Sequence, residues 1–428
     1  MVETVQPTLA LNGTITLPPD KSISHRSVLF ASLADEASTI RNYSTAADPE
    51  STIQCMRQLG VRIDKEGQNL VVHGVGRNGF SAPDEPLDCG NSGTTMRLLS
   101  GIVAGAGIKA TLVGDDSLSA RTMKRIIDPL REMGASVEAA DDEYAPIKIS
   151  PHDGIHPMRY PLPIASAQLK SCVLLAGLFG TTATQVIEQV PSRDHTERLL
   201  GLNSEPYGQG KIISSSISDK IPTQSYTVPG DFSAAAFWMV GAAIHDDSSL
   251  KLENVGMNPS RTAALHLLNE MGASIKLSNE RMQGPEPVAD MVIDSSMLKG
   301  IDVEPALIPN CIDELPILMV ALCFAEGRST ITGAEELRHK ETDRLSAMYD
   351  ILTATGADVD LRPDGMIING NPDFIPESAE FESHHDHRMA MAAAILSSRS
   401  DKPSTILDAE CTSISYPQFW THLQDVSK

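Results

Sequence analysis

Leu130-Arg131-Glu132-Met133-Gly134-Ala135-Ser136-Val137-Glu138 decides the fold, because the chain repeats it. The stretch reads as the end of an amphipathic helix, a glycine, and a short alternating strand. The same phrase returns as MRQLGVRI (56–63), LNEMGASIK (268–276) and ILTATGADVD (351–360), and more weakly as ERLLGL (197–202). Its marker glycines are 60, 134, 201, 272 and 356, so the steps are 74, 67, 71 and 84 residues. A glycine after a helix supplies the left-handed backbone that ends it at little cost. A sixth copy is expected in the tail, where FWTHLQDV (419–426) keeps the helix without its glycine. Solenoid repeats run to roughly 20–50 residues, so these longer units read as α/β modules, each with two helices and several strands. Six modules divide naturally as three plus three. The breaker clusters Pro18-Pro19-Asp20 and Pro229-Gly230-Asp231 mark the expected crossings between two lobes. Lobe one is expected at 21–230, lobe two at 1–20 plus 231–428, with the ligand site in the cleft between them.

The chain has 428 residues, too many for one ordinary core, with 41% apolar and 21% charged residues. Its net charge is −22, from 34 basic and 56 acidic side chains. A broadly acidic surface argues against nucleic acid and anionic membranes as partners. It leaves open a small anionic substrate gathered by a local cluster of the scarce cations. The apolar runs around Phe237–Ile244 and Ile317–Ala325 are far short of a membrane span. The start, MVETVQPTLALNG, has no basic-then-apolar pattern, so no export signal and a cytoplasmic location are expected. Cysteines 55, 89, 172, 311, 323 and 411 show no metal-ligand spacing and read as reduced thiols.

Polar or basic stretches repeatedly precede an apolar helix. Pro18–Arg26 opens the first, with Lys21, Ser22 and Arg26 beside a helix start suited to an anion. The phosphate loop GxxxxGK[ST] is absent. Leu87–Arg97 brings Asn91, Gly93 and three hydroxyls before the next helix, and Asp115–Arg121 brings Arg121, a candidate bidentate clamp. Ser166, Ala167 and Gln168 open the apolar run CVLLAGLF, and Ser192–Arg198 is another charged helix start that includes Arg193. Ile312–Pro316 sets Asp313 at the mouth of an apolar helix, where a partly desolvated carboxylate suits proton transfer. Leu337–Leu345 packs Lys340, Glu341 and Arg344 together. Read as helix, it puts Lys340 and Arg344 on one face, an anion site with a proton donor beside it. His384-His385-Asp386-His387-Arg388 suggests a metal site, yet its histidines cannot share one face and no second ligand cluster is evident, so Arg388 fits the anion theme better. Each motif alone also fits a capped, salt-bridged helix start. Together they point to a ligand with two or more anionic groups.

Five motifs, DKSISHR (20–26), GNSGTTMR (90–97), SAQLKS (166–171), KETDRL (340–345) and DHRMAM (386–391), stand in the order found in the 5-enolpyruvylshikimate-3-phosphate synthase family. The chain resembles that family from residue 12 to 420. The resemblance implies an α/β (α+β) fold, a two-lobed inside-out α/β barrel. Each lobe would hold three repeated βαβαββ-type units around buried parallel helices. It implies enolpyruvyl transfer from phosphoenolpyruvate to the 5-hydroxyl of shikimate 3-phosphate, with no metal and no cofactor, in a monomer. Lys21, Ser22, Arg26, Ser166, Ala167, Gln168, Arg193, Asp313 and Lys340 would then hold shikimate 3-phosphate. Lys21, Asn91, Gly93, Arg121, Gln168, Arg344 and Arg388 would hold phosphoenolpyruvate. Asp313 would take the hydroxyl proton, and Glu341 with Lys21 would protonate the methylene carbon. A carboxyl group that must give and then retrieve a proton is suited to that step.

The chain departs from the family pattern at three places. Cys411–Pro417 has Ile414 where some members carry a lysine. Ser-Ala-Gln replaces Ser-Ser-Gln, and Arg193 follows Ser192 where others have Ser and Tyr. These departures resemble the branch less sensitive to glyphosate, whereas Gly93 is retained, so glyphosate is an inhibitor candidate of undecided strength. Two other readings are a UDP-N-acetylglucosamine enolpyruvyl transferase and a non-catalytic anion-binding protein on the same fold. The first usually has a reactive cysteine in the loop that here reads Gly114–Arg121 without one, and the second is disfavoured by the presence of Lys21, Asp313 and Glu341.

Overall fold

Among the described residues, six small sheets, three in each of two compact units, carry the repeat. The computed structural model describes residues 1–223 and 225–428. One module shows the plan. Leu87–Asp88 pairs parallel with Ala110–Val113, which pairs antiparallel with Tyr144–Ser150, which pairs antiparallel with Ser136–Ala140. Helices Gly93–Ala106 and Lys124–Glu132 connect the first three strands in chain order, giving βαβαββ. The modules built on Arg159–Pro161 and on Asp302–Val303 have the same order and the same parallel–antiparallel–antiparallel pairing. The other three sheets recruit a strand from far along the chain: Ser225–Thr227 beside Ala37–Arg41, Asn12–Thr16 beside Ser249–Gly256, and Glu3–Val5 beside Ser404–Leu407.

The helices lie inside and the sheets outside. Phe232–Ile244 buries all of its 13 residues and Leu315–Cys323 all of its nine. Neither sequence has a polar face to offer solvent, which is the signature of a core helix. By contrast, Ser274–Gln283 is exposed along most of its length. In the unit containing Pro19–Val228 the inner helices are Lys21–Leu33, Gly93–Ala106 and Ala167–Gly177. In the other unit they are Phe232–Ile244, Leu315–Cys323 and His387–Ser397. All five marker glycines have φ between 64° and 95°, the left-handed backbone expected of them. The tail copy is the helix Phe419–Val426.

One unit comprises Met1–Pro18, Pro229–Met282 and Pro287–Lys428, and the other Pro19–Val228 with Gln283–Glu286. The four residues 283–286 depart from the expected division at 230. Within their unit, Gln283 Nε2 donates to Thr227 O at 2.8 Å, and Glu286 sits 2.8 Å from buried His195 Nδ1. All six cysteines are free and buried. No single helix among the described residues is long and apolar enough to cross a membrane.

Candidate functional site

In the 19–228 unit, three inner helices each begin at a side-chain cap beside residues expected to bind a ligand. Asp20 caps Lys21–Leu33 by accepting from Ile23 N at 2.8 Å, which fixes Lys21 in the first turn. Lys21 Nζ lies 2.5 Å from Asp48 Oδ2, and Ser22 follows it in the helix. Arg26 is buried one turn on. Its Nε donates to Thr196 Oγ1 at 2.9 Å, its Nη2 to Ser171 Oγ at 3.2 Å, and its Nη1 to Ser22 O at 3.1 Å. Ser92 caps the second helix through Thr95 N, which leaves Gly93 as its first residue. Arg121 Nη2 donates to Asn91 Oδ1 at 2.8 Å, and Asn91 Nδ2 in turn donates to Asp115 Oδ2 at 2.8 Å. Ser166 caps the third helix, so Ala167 and Gln168 occupy its first turn. Gln168 Nε2 donates to Thr94 Oγ1 at 3.0 Å, and its Oε1 accepts from Arg97 Nη1 at 2.6 Å. Gln168 thereby ties the second helix start to the third. Arg193 sits half-buried in the loop before the helix His195–Leu200.

Beneath these ends runs a buried hydroxyl chain. His25 Nδ1 meets Thr52 Oγ1 at 2.6 Å, Thr52 meets Thr95 Oγ1 at 2.8 Å, and Thr95 donates to Ser92 Oγ at 2.8 Å. Burial, with Lys21 and Arg26 adding to it, holds His25 well below the ordinary histidine range. Both causes disfavour a charged imidazolium beside those cations.

In the other unit, Arg344 gathers three carboxylates. Its Nε donates to Asp386 Oδ2 at 2.8 Å, its Nη2 reaches Glu341 Oε2 at 2.5 Å, and its Nη1 reaches Asp313 Oδ1 at 3.3 Å. Burial alone would lower its pKa. Asp386, Glu341 and Asp313 outweigh that and hold it above the usual arginine range. Arg388 Nη1 donates to the backbone oxygen of Asp313 at 2.8 Å, and its Nη2 lies 3.8 Å from Asp313 Oδ2. Asp313, Glu341, Arg344 and Arg388 therefore form one cluster. Lys340 stands beside it, 3.7 Å from Glu336 Oε1. Burial pushes the Lys340 ammonium down against the pull of Asp313 and Glu336, yet 24% of its side chain stays exposed.

The Leu337–Leu345 stretch is not the continuous helix expected from its spacing. Glu335–His339 is a 3₁₀ turn, Lys340 is extended, and the helix begins at Arg344. Asp343 causes the break. Its side chain caps the helix by accepting from Ser346 N at 3.1 Å and also binds Arg338 Nη1 at 2.7 Å. Lys340 and Glu341 are thus held by an irregular segment rather than on a helical face. Asp313 is not a helix cap either, since Glu314 occupies the N-cap position. Ile414 ends a 3₁₀ turn and packs on the apolar core.

Sequence reasoning misses Asp48, Arg97 and the role of Asp386. In the sequence Asp386 stands out only among histidines. Here it caps His387–Ser397 through Arg388 N at 2.9 Å and is fully buried against Arg344. The signal that would have found Arg97 is its place one turn after Gly93, on the same helix face.

A family model described as EPSP synthase (3-phosphoshikimate 1-carboxyvinyltransferase) matches residues 5–423. The 3-phosphoshikimate 1-carboxyvinyltransferase of Salinibacter ruber is 50% identical over 100% of both chains. That of Hydrogenovibrio crunogenus is 45% identical over 97% of this chain and 95% of its own. A solved EPSP synthase from Acinetobacter baumannii superposes with a TM-score of 0.88 at 40% identity, covering 100% of this chain and 98% of that one.

Proposed function

This chain belongs to the EPSP synthase (3-phosphoshikimate 1-carboxyvinyltransferase) family, and from that premise we propose how its residues divide the work. The enzyme transfers the enolpyruvyl group of phosphoenolpyruvate to the 5-hydroxyl of shikimate 3-phosphate, by addition and then elimination of phosphate. The UDP-N-acetylglucosamine reading is not favoured.

Lys21, Ser22, Arg26, Ser166, Ala167, Gln168 and Arg193 bind shikimate 3-phosphate, together with Asp313 and Lys340. Lys21, Asn91, Gly93, Arg121, Gln168, Arg344 and Arg388 bind phosphoenolpyruvate. The observation that carries the assignment is the Arg344 cluster: one buried guanidinium holds Asp313 and Glu341 side by side. Asp313 removes the 5-hydroxyl proton as that oxygen bonds to C2, while Glu341, aided by Lys21, delivers a proton to C3. In the second step the C2–O bond to phosphate breaks and a C3 proton leaves, which restores the methylene. Arg344, Arg388 and Arg121 stabilise anionic charge through both steps. We further propose a cytoplasmic monomer, with glyphosate as a candidate inhibitor.

The test is phosphate release from phosphoenolpyruvate plus shikimate 3-phosphate. Asp313→Ala is expected to keep shikimate 3-phosphate binding within about tenfold, roughly 1.4 kcal/mol, while turnover drops by ~100-fold or more. Undiminished turnover would remove Asp313 from the mechanism.

A further inference from the structure

A buried ionic network in the 19–228 unit takes no role in the chemistry above. Lys170 Nζ, with no exposed surface, lies 2.9 and 3.1 Å from the two oxygens of Glu188 and 2.8 Å from Glu197 Oε1. Lys211 closes the ring from the outside, 3.4 Å from Glu188 Oε2 and 3.3 Å from Glu197 Oε1. Burial would lower the Lys211 pKa, but Glu197 and Glu188 raise it beyond that. Two ammonium groups thus face two carboxylates. Desolvating such groups costs several kcal/mol per ion before their attraction offsets it, and an apolar cluster of equal size is often no less stable. Fold stability is therefore a weak reason for the network.

Its connections supply a better reason. Glu188 Oε1 also accepts from Ser192 N at 3.0 Å and from the Ser192 hydroxyl, and Lys170 Nζ lies 3.5 Å from Ser192 O. Both main-chain polar groups of Ser192, and its side chain, are thus engaged by one ion pair. The next residue is Arg193. Lys170 lies on the helix Ala167–Gly177, whose first turn bears Ala167 and Gln168. Glu197 lies on the helix His195–Leu200, beside Thr196, which binds both Arg26 and Ser171. Two segments that bind one substrate in the proposed function, and a third whose Thr196 holds the assigned Arg26, meet at this ring.

We propose that Lys170 and Glu188 are positioning residues for shikimate 3-phosphate, fixing through Ser192 the loop that carries Arg193. The inference rests on the assignment of Arg193 to that substrate. A buried ion pair suits the task, because its short, charged hydrogen bonds tolerate little displacement.

The experiment measures KM for each substrate and kcat in Glu188→Gln, Ser192→Ala, Arg193→Ala and the Glu188→Gln/Arg193→Ala pair of the full chain. Glu188→Gln is expected to raise KM for shikimate 3-phosphate about tenfold, with KM for phosphoenolpyruvate and kcat within about twofold, the pattern of lost ground-state positioning. Ser192→Ala should shift the same constant in the same direction by a smaller factor. In the Arg193→Ala background Glu188→Gln should add nothing, because both changes act through one contact. A role in stability alone would move thermal unfolding and leave this substrate-selective, non-additive pattern absent. If Glu188→Gln does not fold, Ser192→Ala decides, since it leaves the ion pairs in place. If Arg193→Ala raises KM for shikimate 3-phosphate but Glu188→Gln and Ser192→Ala do not, the positioning role is overturned and the site assignment stands. If Arg193→Ala itself changes nothing, both are overturned.

Discussion

Arg97 shows how one side chain can set the tolerance of a neighbour. Its Nη1 is held by Gln168 at 2.6 Å and its Nη2 donates to Thr122 O at 3.2 Å. A Cβ placed on Gly93 would stand 3.0 Å from that Nη1 and 3.6 Å from Leu118 Cδ1. The guanidinium is a flexible end, but moving it strains the bond to Gln168, which is assigned to both substrates. Gly93→Ala is therefore expected to raise KM for phosphoenolpyruvate several-fold while unfolding shifts by less than about 1 kcal/mol. Steady-state kinetics beside a thermal melt would check it, and an unchanged KM would show that Arg97 yields freely. The same region shows what a sequence displays and what it hides. Gly93 is legible because a glycine before an apolar helix marks a close approach. Asp48 and Asp386 are not, because each acts on a cation distant along the chain, Lys21 at 2.5 Å and Arg344 at 2.8 Å. Nothing local distinguishes such an acid from those that decorate the surface.

Between elements, a close backbone approach joins the helices Gly93–Ala106 and Ala167–Gly177. A Cβ on Gly101 would sit 2.4 Å from Cys172 O and 3.1 Å from the adjoining backbone carbon. Backbone cannot swing aside as a side chain can, so Gly101→Ala must push these helices apart, and both carry residues proposed to bind the substrates. It is expected to cost about 1–3 kcal/mol or more, read from urea midpoints, with KM rising for both substrates. A second expectation concerns His245, which closes the helix Phe232–Ile244. Its Nδ1 lies 2.7 Å from Gly241 O and its Nε2 3.2 Å from Ser398 Oγ. Burial, with Arg399 pushing the same way, lowers its pKa to about 4. The unfolded histidine titrates near 6.5, so between these values the unfolded chain takes up a proton that the folded chain refuses. Stability should fall as pH drops from about 6.5 to 4, by on the order of 3 kcal/mol from this group. His245→Gln should flatten that slope, and urea midpoints across the window would show it; equal slopes would contradict the assignment. At this scale the helix–glycine–strand phrase is legible along the whole chain, because its period is local. The break before Arg344 is not. The charges at 338–344 fit a helix face, and only the bonds from Asp343 to Ser346 N and Arg338 disclose the turn.

For the whole molecule the governing quantity is the net charge of −22. The cations proposed to hold the substrates are set among partners: Arg344 among Asp386, Glu341 and Asp313, and Lys21 against Asp48. Many of the surplus acids lie on the exposed sheets, as at Asp358 and Asp360. Salt acts unequally on these populations. Exposed charges more than a Debye length apart are screened, and that length falls from about 30 Å at 0.01 M to about 8 Å at 0.15 M ionic strength. Partly buried pairs at hydrogen-bond distance are screened far less. Adding salt therefore removes self-repulsion among the exposed acids first and leaves the binding clusters nearly intact. Stability and substrate capture should then respond in the same direction. The melting temperature should rise from about 0.01 M to 0.15 M KCl, because the compact state concentrates the negative charge more than the unfolded chain does. The kcat/KM for phosphoenolpyruvate should also rise over that range, because a multiply charged anion approaching the molecule is repelled at long range and attracted only close in. This inverts the usual decline of anion-binding rates with salt. Melting curves and initial rates in one KCl series test both. A melting temperature that falls would mean that surface ion pairs outweigh repulsion. A kcat/KM that falls steadily from the lowest salt would mean that the cation clusters, rather than the net charge, set the long-range field.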